Sequence, residues 1–214
     1  MPGGSSTICP PVRLCWAGRR STVSIAPQNA QSDERVRNLI IERNWFDGTN
    51  SNQQIALILS ATEATVRNNI CTLPGSNTCI AFYQRGIEPA PANMRVYNNT
   101  MYSSSTGSFT GVTIDSASTN VTVRNNLGSA PSASSRAMIA GTGASGLIQS
   151  GNLLNNSPSA LFVNTMPKNP EDFRLKSGTN PARDAGTSVP VFSDFFRTLR
   201  PQGSRIDIGA AERR

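Results

Sequence analysis

Five short segments of the chain share one pattern, in which an apolar-polar-apolar strand leads into a turn that contains asparagine. The segments read LIIERNWF, ATVRNNIC, MRVYNNTM, VTVRNNLG and LIQSGNLL. Aligned on Asn44, Asn69, Asn99, Asn126 and Asn152, they follow one another at intervals of 25, 30, 27 and 26 residues. A nearly constant period of this size indicates a solenoid of stacked repeats.

Each repeat also contains a second apolar segment: IALIL (55–59), CIAFYQ (79–84), GVTID (111–115), AMIA (137–140) and ALFV (160–163). Alternation with period two predicts an inward column of Ile58, Phe82, Ile114, Ile139 and Phe162, and an outward column of Leu59, Tyr83, Asp115, Ala140 and Val163. The same alternation predicts that eight further side chains point into the solenoid: Leu39, Ile41, Val66, Met94, Val96, Val121, Val123 and Leu147. The sequence therefore predicts an all-β protein, a right-handed parallel β-helix of about five coils with a C-terminal capping segment.

Three regions follow from this pattern. Residues 1–34 lack a repeat strand and are interpreted as an irregular or flexible lead-in, without the apolar stretch of a secretory signal. Residues 35–165 are predicted to form the coils, and their abrupt start suggests a piece of a longer solenoid. Residues 166–214 are predicted to form a cap and tail, whose apolar side chains cover the last coil.

The recurring asparagine is interpreted as structural. Asn tolerates the left-handed backbone of a turn, and its side chain bonds nearby main-chain groups. Stacked at one corner of successive coils, these side chains are predicted to form a ladder that satisfies buried polar groups.

The amino-acid composition excludes several kinds of active site and partner. Of the 214 residues 37% are hydrophobic and 15% charged, and no apolar run is long enough to span a membrane. The formal charge is +7, which permits an anionic partner, although scattered arginines with few aromatic residues argue against nucleic acid. The chain has no histidine, so Ser-His-Asp and Cys-His catalysis are excluded.

The four cysteines lack the Cys-x-x-Cys spacing of zinc sites, and no metal site is predicted from the residues. Cys71 and Cys79 flank the loop TLPGSNT. The sequence leaves two alternatives open for this pair, a disulfide bridge or two separate half-buried thiols.

The tail, EDFRLKSGTNPARDAGTSVPVFSDFFRTLRPQGSRIDIGAAE, runs from Glu171 to Glu212. It resembles the closing segment of right-handed parallel β-helix proteins of the pectate-lyase-like superfamily. The resemblance implies a β-helix, export to an extracellular or periplasmic location, and a sugar chain bound along one outward sheet face between long loops. Calcium is a cofactor that the resemblance allows. Asp184 and Asp207 match turn positions of that ending and are interpreted as structural.

On the outward face, the candidate residues for binding a sugar chain are Tyr83, Arg85, Glu88, Asp115 and Arg136. Tyr83 and Asp115 take equivalent places on adjacent coils, so they are predicted to be neighbours. In the lyases that the chain resembles, an Arg or Lys base works beside a cation that neutralises the substrate carboxylate. The alternative is that these are isolated surface residues of a long rod.

A second candidate surface is a vertical stripe beside the Asn ladder. It consists of Arg43, Arg67, Tyr97 and Arg124, with Arg95 singled out beside them. The stripe would suit an acidic polysaccharide or serve only solubility. Arg85, Asp115 and Arg124 are the candidate catalytic residues.

Two functions remain open at this level. One is a polysaccharide-processing enzyme, such as part of a lyase acting on uronate polymers. The other is a non-catalytic carbohydrate-binding or surface module. Self-association through an open N-terminal coil is compatible with both.

Overall fold

The computed structural model describes residues 12–14, 19–20, 23–25, 36–48, 55–73, 77–84 and 89–213. The strands and helices in this part of the chain are short. They are β1 (Val12–Leu14), β2 (Arg19–Arg20), β3 (Val23–Ile25), β4 (Leu39–Glu42), β5 (Trp45–Asp47), β6 (Ile55–Leu59), β7 (Thr65–Arg67), β8 (Ile70–Leu73), β9 (Asn77–Phe82), β10 (Arg95–Tyr97), β11 (Thr100–Ser103), β12 (Ser108–Ile114), β13 (Thr122–Arg124), β14 (Leu127–Ser129), β15 (Ser135–Ala140), β16 (Ile148–Ser150), β17 (Leu153–Leu154), the helix α1 (Pro158–Leu161) and a 3₁₀ helix (Pro170–Phe173).

The strands form three parallel sheets. Sheet A has the order β1-β4-β7-β10-β13-β16, sheet B the order β2-β5-β8-β11-β14-β17, and sheet C the order β3-β6-β9-β12-β15. The chain therefore winds through A, B and C in turn, and β4 to β15 complete four full turns. This confirms the predicted parallel β-helix, with slightly fewer full turns than the five coils expected. The strands β1, β2 and β3, within the predicted lead-in, pair with β4, β5 and β6.

Each turn contains three strands, one more than the sequence pattern suggested. The Asn-containing segments bend in the middle and so contribute one strand to sheet A and one to sheet B. At the bend, Arg43, Asn68, Asn98 and Asn125 have positive φ, and Gly151 takes the same place on the last turn. The left-handed conformation favours Asn and Gly, which is why these residues recur there.

The predicted inner column of sheet A is confirmed. Val66, Val96 and Val123 are register partners on successive strands, and each is fully buried. Ile41 extends this column below them, while the partner of Val123 on β16 is the exposed Gln149. A polar residue therefore ends the apolar column on the last turn.

The expected orientation of β6 was wrong by one residue. Leu59 is the register partner of Phe82 and is fully buried in the core, whereas Ile58 pairs with Ala81 and is half-buried on the outer side. The sequence IALIL is apolar at every position, so its alternation could not be read from residue types.

The predicted Asn ladder is confirmed. The backbone N–H of Asn44 donates to Oδ1 of Asn69 at 2.9 Å, and Asn69 donates likewise to Asn99 at 3.0 Å. The ladder continues from Asn99 to Asn126 and from Asn126 to Asn152, at 3.0 Å each. Because each side-chain N–H₂ also donates to the next Oδ1, every junction carries two hydrogen bonds.

The C-terminal segment, defined here as residues 158–213, lies along the side of the solenoid. The outward side chains of Trp45, Ile70 and Leu127 on sheet B are buried in a cluster with apolar residues of this segment. Those residues are Leu161, Phe162, Phe173, Leu175, Ala182, Ile208, Ala210 and Ala211. The sequence had suggested cover for the last coil, but the contacts show that the outer face of sheet B is covered.

This placement also accounts for residues 160–163, which were predicted as a coil strand. Pro158 to Leu161 form α1, and Phe162 packs edge-on against Phe173 at 5.2 Å between ring centroids. Pro158 stands at the start of α1, where proline favours helix initiation, so the chain forms a helix here instead of a coil strand. Phe162 packs in the cluster that covers sheet B, and its predicted inward position was wrong.

One buried network holds the C-terminal segment together. The side chains of Arg200 and Glu212 are fully buried and form an ion pair at 2.8 Å. Arg200 also donates to the carbonyl oxygens of Asp207 and Gly209, and Asp194 accepts the backbone N–H of Glu212. Burial raises the pKa of Asp207 and Glu212 and lowers that of Arg200.

A disulfide joins Cys71 on β8 to Cys79 on β9, which answers the alternative that the sequence left open. Both residues are buried within the inner core, where the bridge links sheet B to sheet C inside one turn.

Candidate functional site

Tyr83 and Asp115 lie at the same corner of adjacent turns. Their preceding residues Phe82 and Ile114 are register partners, and the N–H of Asp115 donates to the carbonyl of Phe82 at 3.0 Å. The carboxylate of Asp115 accepts the backbone N–H of Ala117 at 2.9 Å and that of Gln84 at 3.2 Å. Asp115 therefore stabilises the turn after β12, which is a structural use of its oxygens.

The other predicted sugar-binding residues either lie far from the corner of Tyr83 and Asp115 or fall outside the described residues. Arg85 and Glu88 lie outside the described residues. Arg136 pairs with Phe109 near the start of β15, so the length of sheet C separates it from Asp115. Its guanidinium donates to the carbonyl of Ala130 at 2.7 Å and to that of Pro131 at 3.0 Å. These candidates thus form no cluster among the described residues.

The stripe beside the Asn ladder differs from the prediction in register and in exposure. On sheet A, Arg67 pairs with Glu42 below it and with Tyr97 above it, so Arg43 is one position out of the column. Arg67 binds the buried carboxylate of Glu42 at 2.8 Å and the carbonyl of Pro190 at 3.1 Å.

The C-terminal segment covers this stripe. Tyr97 is buried against Val189, Val191 and Ile206. Above Tyr97 in the column lies Arg124, which is half-buried. Arg67 and Tyr97 therefore serve to attach the segment, and the stripe as predicted is not an open ligand surface.

Arg124 differs from Arg67. Its Nε atom is buried and has no hydrogen-bond partner within the described part of the chain. A buried donor without a partner is costly, so its persistence calls for an explanation such as a ligand or water.

The open surface of sheet A lies beside the stripe, two residues earlier along each strand. It is formed by the outward side chains of Ile40, Thr65, Arg95, Thr122 and Ile148, which are register partners on successive turns. Arg95 and Ile148 are exposed, and the others are half-buried. Because parallel strands lie about 4.8 Å apart, this row places one cation between two hydroxyl groups at a regular spacing.

Sequence reasoning singled out Arg95 with Arg67 and Arg124 but did not place it in the stripe. The alternation around the buried Val96 carries the signal, since the residue before an inward valine points outward. Register then places Arg95 between Thr65 and Thr122.

Carboxylates offer little for catalysis or metal binding. Asp194, Asp207 and Glu212 are buried in the network of the C-terminal segment, with their oxygens bonded to backbone N–H groups. Across the described residues, no group of three or more Cys, Asp or Glu side chains could hold a metal ion. For the calcium that the resemblance allows, these residues supply no such cluster of acidic side chains.

No protein-family model matches the chain, and neither does any curated protein sequence. The fold itself is consistent with a β-helix, whereas membership of the pectate-lyase-like superfamily stays a prediction. In the part of the chain that the structure describes, no helix has the length and hydropathy needed to cross a membrane.

Proposed function

We propose that this protein is a non-catalytic module that binds an acidic polysaccharide on the outer face of sheet A. The observation that carries the proposal is the row of Thr65, Arg95 and Thr122, with an exposed guanidinium between two hydroxyl side chains on adjacent turns. A guanidinium binds carboxylates with two parallel hydrogen bonds, and threonine hydroxyls bond sugar hydroxyls.

The shape of the surface suits a polymer. The row follows the axis of the solenoid over five strands, and so offers contacts to several consecutive sugar units. The formal charge of +7 adds a long-range attraction for a polyanion. Such binding should weaken as salt is added.

Binding without turnover is favoured because the candidate catalytic residues are engaged elsewhere or scattered. Asp115 accepts two backbone N–H groups at the end of sheet C, Arg124 lies on sheet A, and Arg85 lies outside the described residues. A lyase needs a positioned base together with electrostatic support for the developing enolate. The described residues do not bring such a pair together on an open surface.

An exported location fits this function. Disulfides persist in oxidising compartments and are rare in the cytosol, and the chain buries one in its core. This supports the extracellular or periplasmic location that the resemblance implies.

The test is binding of polygalacturonate, compared with a neutral glucan of similar length, by isothermal titration calorimetry. Arg95→Ala should weaken binding of the acidic polymer about tenfold, the value of one charge-assisted hydrogen bond. The matched control is Arg183→Ala, which removes an exposed arginine on the C-terminal segment and should bind as the wild type does.

Two outcomes would overturn the proposal. One is equal affinity for acidic and neutral polymers at low salt. The other is release of unsaturated products, followed by ultraviolet absorbance, which would make the protein a lyase.

A further inference from the structure

The C-terminal segment contains a cavity that the proposed function does not use. It has a volume of 280 Å³ and is lined by Gly186, Ser188, Pro201, Ser204, Arg205 and Ile206. This is slightly below the usual range for sites that take drug-sized ligands, so it suits one small unit such as a single sugar.

The cavity is held in place by its backbone. The N–H of Gly186 donates to the carbonyl of Ile206 at 2.8 Å, which joins its two walls. The N–H of Arg205 donates to Oδ1 of Asp184 at 3.0 Å. A Cβ atom at Gly186 would lie 2.6 Å from the carbonyl oxygen of Ile206, so the two walls approach too closely for any larger residue.

Arg205 supplies the charge of the cavity. It is exposed, and its guanidinium makes no hydrogen bond or ion pair with another side chain of the described residues. The carboxylate of Asp184 accepts the backbone N–H of Arg205 and lies 3.4 Å from the Arg183 guanidinium, so its ionic partner is Arg183. The Arg205 guanidinium therefore remains available to an anion, and Ser188 supplies a hydroxyl group to the lining of the same cavity.

Residues that line or adjoin the cavity contact the column of sheet A that contains Arg124. Ser150, above Arg124 in its column, has its Oγ 3.5 Å from Oγ1 of Thr187, while Tyr97 below packs against Ile206. The stretch of the segment that crosses Arg124 is thus the stretch that forms the cavity. Neither Arg124 nor Arg205 has an acidic partner among the described residues.

We propose that this cavity is a carboxylate subsite, in which Arg205 and Ser188 bind the carboxylate of one uronate unit, with Arg124 adding positive charge beside it. The inference rests on the proposed binding of an acidic polysaccharide. In this arrangement the polymer runs along sheet A and places one acidic sugar against the C-terminal segment. The segment then contributes to recognition as well as to stability.

The test uses monomeric galacturonate as the probe, titrated into the full chain and followed by two-dimensional NMR, with galactose as the neutral comparison. Galacturonate should shift the backbone signals of Gly186, Ser188 and Arg205, and galactose should not. Arg205→Ala should reduce galacturonate affinity about tenfold and Ser188→Ala about threefold. Arg183→Ala, which removes a neighbouring positive charge, should leave it unchanged.

The outcomes separate the subsite from the proposed function. If the wild type binds polygalacturonate and Arg205→Ala binds it equally well, the subsite is wrong and the function stands. If the wild type binds galacturonate through Arg205 but no acidic polymer, the subsite stands and the function is wrong. If Arg183→Ala weakens galacturonate as much as Arg205→Ala does, general charge explains the binding and the subsite is overturned.

Discussion

The two residues of each Asn pair have different roles. The second residue (Asn69, Asn99 or Asn126) points inward and forms the ladder. The first residue (Asn68, Asn98 or Asn125) has positive φ and points outward. Their side chains donate to backbone carbonyls of the C-terminal segment at 2.7 to 2.9 Å, to Ser193, Asp207 and Thr187 respectively. One dipeptide therefore stabilises both the stacking of turns and the attachment of the segment.

The first prediction concerns Asn99 in the middle of the ladder. Asn99→Ala removes two acceptor contacts to Asn69 and two donor contacts, to Val66 and Asn126. Since the groups left behind are buried and unsatisfied, we expect the free energy of unfolding to fall by about 3 kcal/mol. Urea denaturation measures this change. Asn156→Ala, at an exposed position, is the control and should change stability little; an equal loss in both variants would contradict the ladder's role.

At the scale of elements, strand pairing alone does not account for the connections between sheets. The disulfide crosses the corner between β8 and β9, where sheet B gives way to sheet C. The inner core packs around the bridge, which ties β8 covalently to β9.

The second prediction concerns this bridge. The two cysteines enclose a short loop, with a sequence separation of 8 residues. Loop-closure entropy for such a loop corresponds to about 2.5 kcal/mol. Cys71→Ala/Cys79→Ala should therefore lower the melting temperature. Reductant should lower the melting temperature of the wild type but not that of this variant. A Cys9→Ala/Cys15→Ala variant is the control and should remain sensitive to reductant; insensitivity of the wild type would contradict the bridge.

The third prediction concerns the 3₁₀ helix Pro170–Phe173. The backbone N–H groups of Lys168 and Asn169 donate to Oδ2 of Asp172, each at 2.9 Å. These bonds lower the pKa of Asp172, with that from Lys168 the largest cause. A lowered pKa in the folded state means that the charged carboxylate stabilises the helix above its ordinary pKa, near 4. That stabilisation is lost as the pH falls through the lowered pKa.

NMR titration of the backbone N–H signals of Lys168 and Asn169 checks this expectation. Both should titrate with a midpoint below the ordinary pKa of aspartate, and Asp172→Asn should abolish that titration. A midpoint at or above the ordinary value would contradict it.

At the scale of the whole molecule, the C-terminal segment determines which surfaces are open. It buries the outer face of sheet B and the column that contains Tyr97, and leaves the row with Arg95 exposed. Its own fold depends on Arg200, which is the cation among three buried carboxylates, those of Asp194, Asp207 and Glu212.

The fourth prediction concerns Arg200. Arg200→Ala leaves Glu212 buried without its ionic partner, which typically costs about 3 to 5 kcal/mol. Because this network holds the segment together, we expect the segment to detach, so that limited proteolysis releases it and emission from the buried Trp45 shifts to longer wavelength. Arg183→Ala, at an exposed position of the segment, is the control and should remain resistant. Detachment in neither variant would show that apolar packing alone holds the segment.

The sequence by itself determined the solenoid, the inner column of sheet A and the ladder, because these follow from a repeated local pattern that residues such as Val66, Val96 and Val123 carry. Only the tertiary structure decided what the outer surfaces do. Whether Tyr97 or Arg95 faces solvent depends on a segment about 100 residues further along the chain, and no local pattern records where that segment docks. The orientation of Ile58 and Leu59 likewise required pairing with β9, since both residue types suit either side of a sheet.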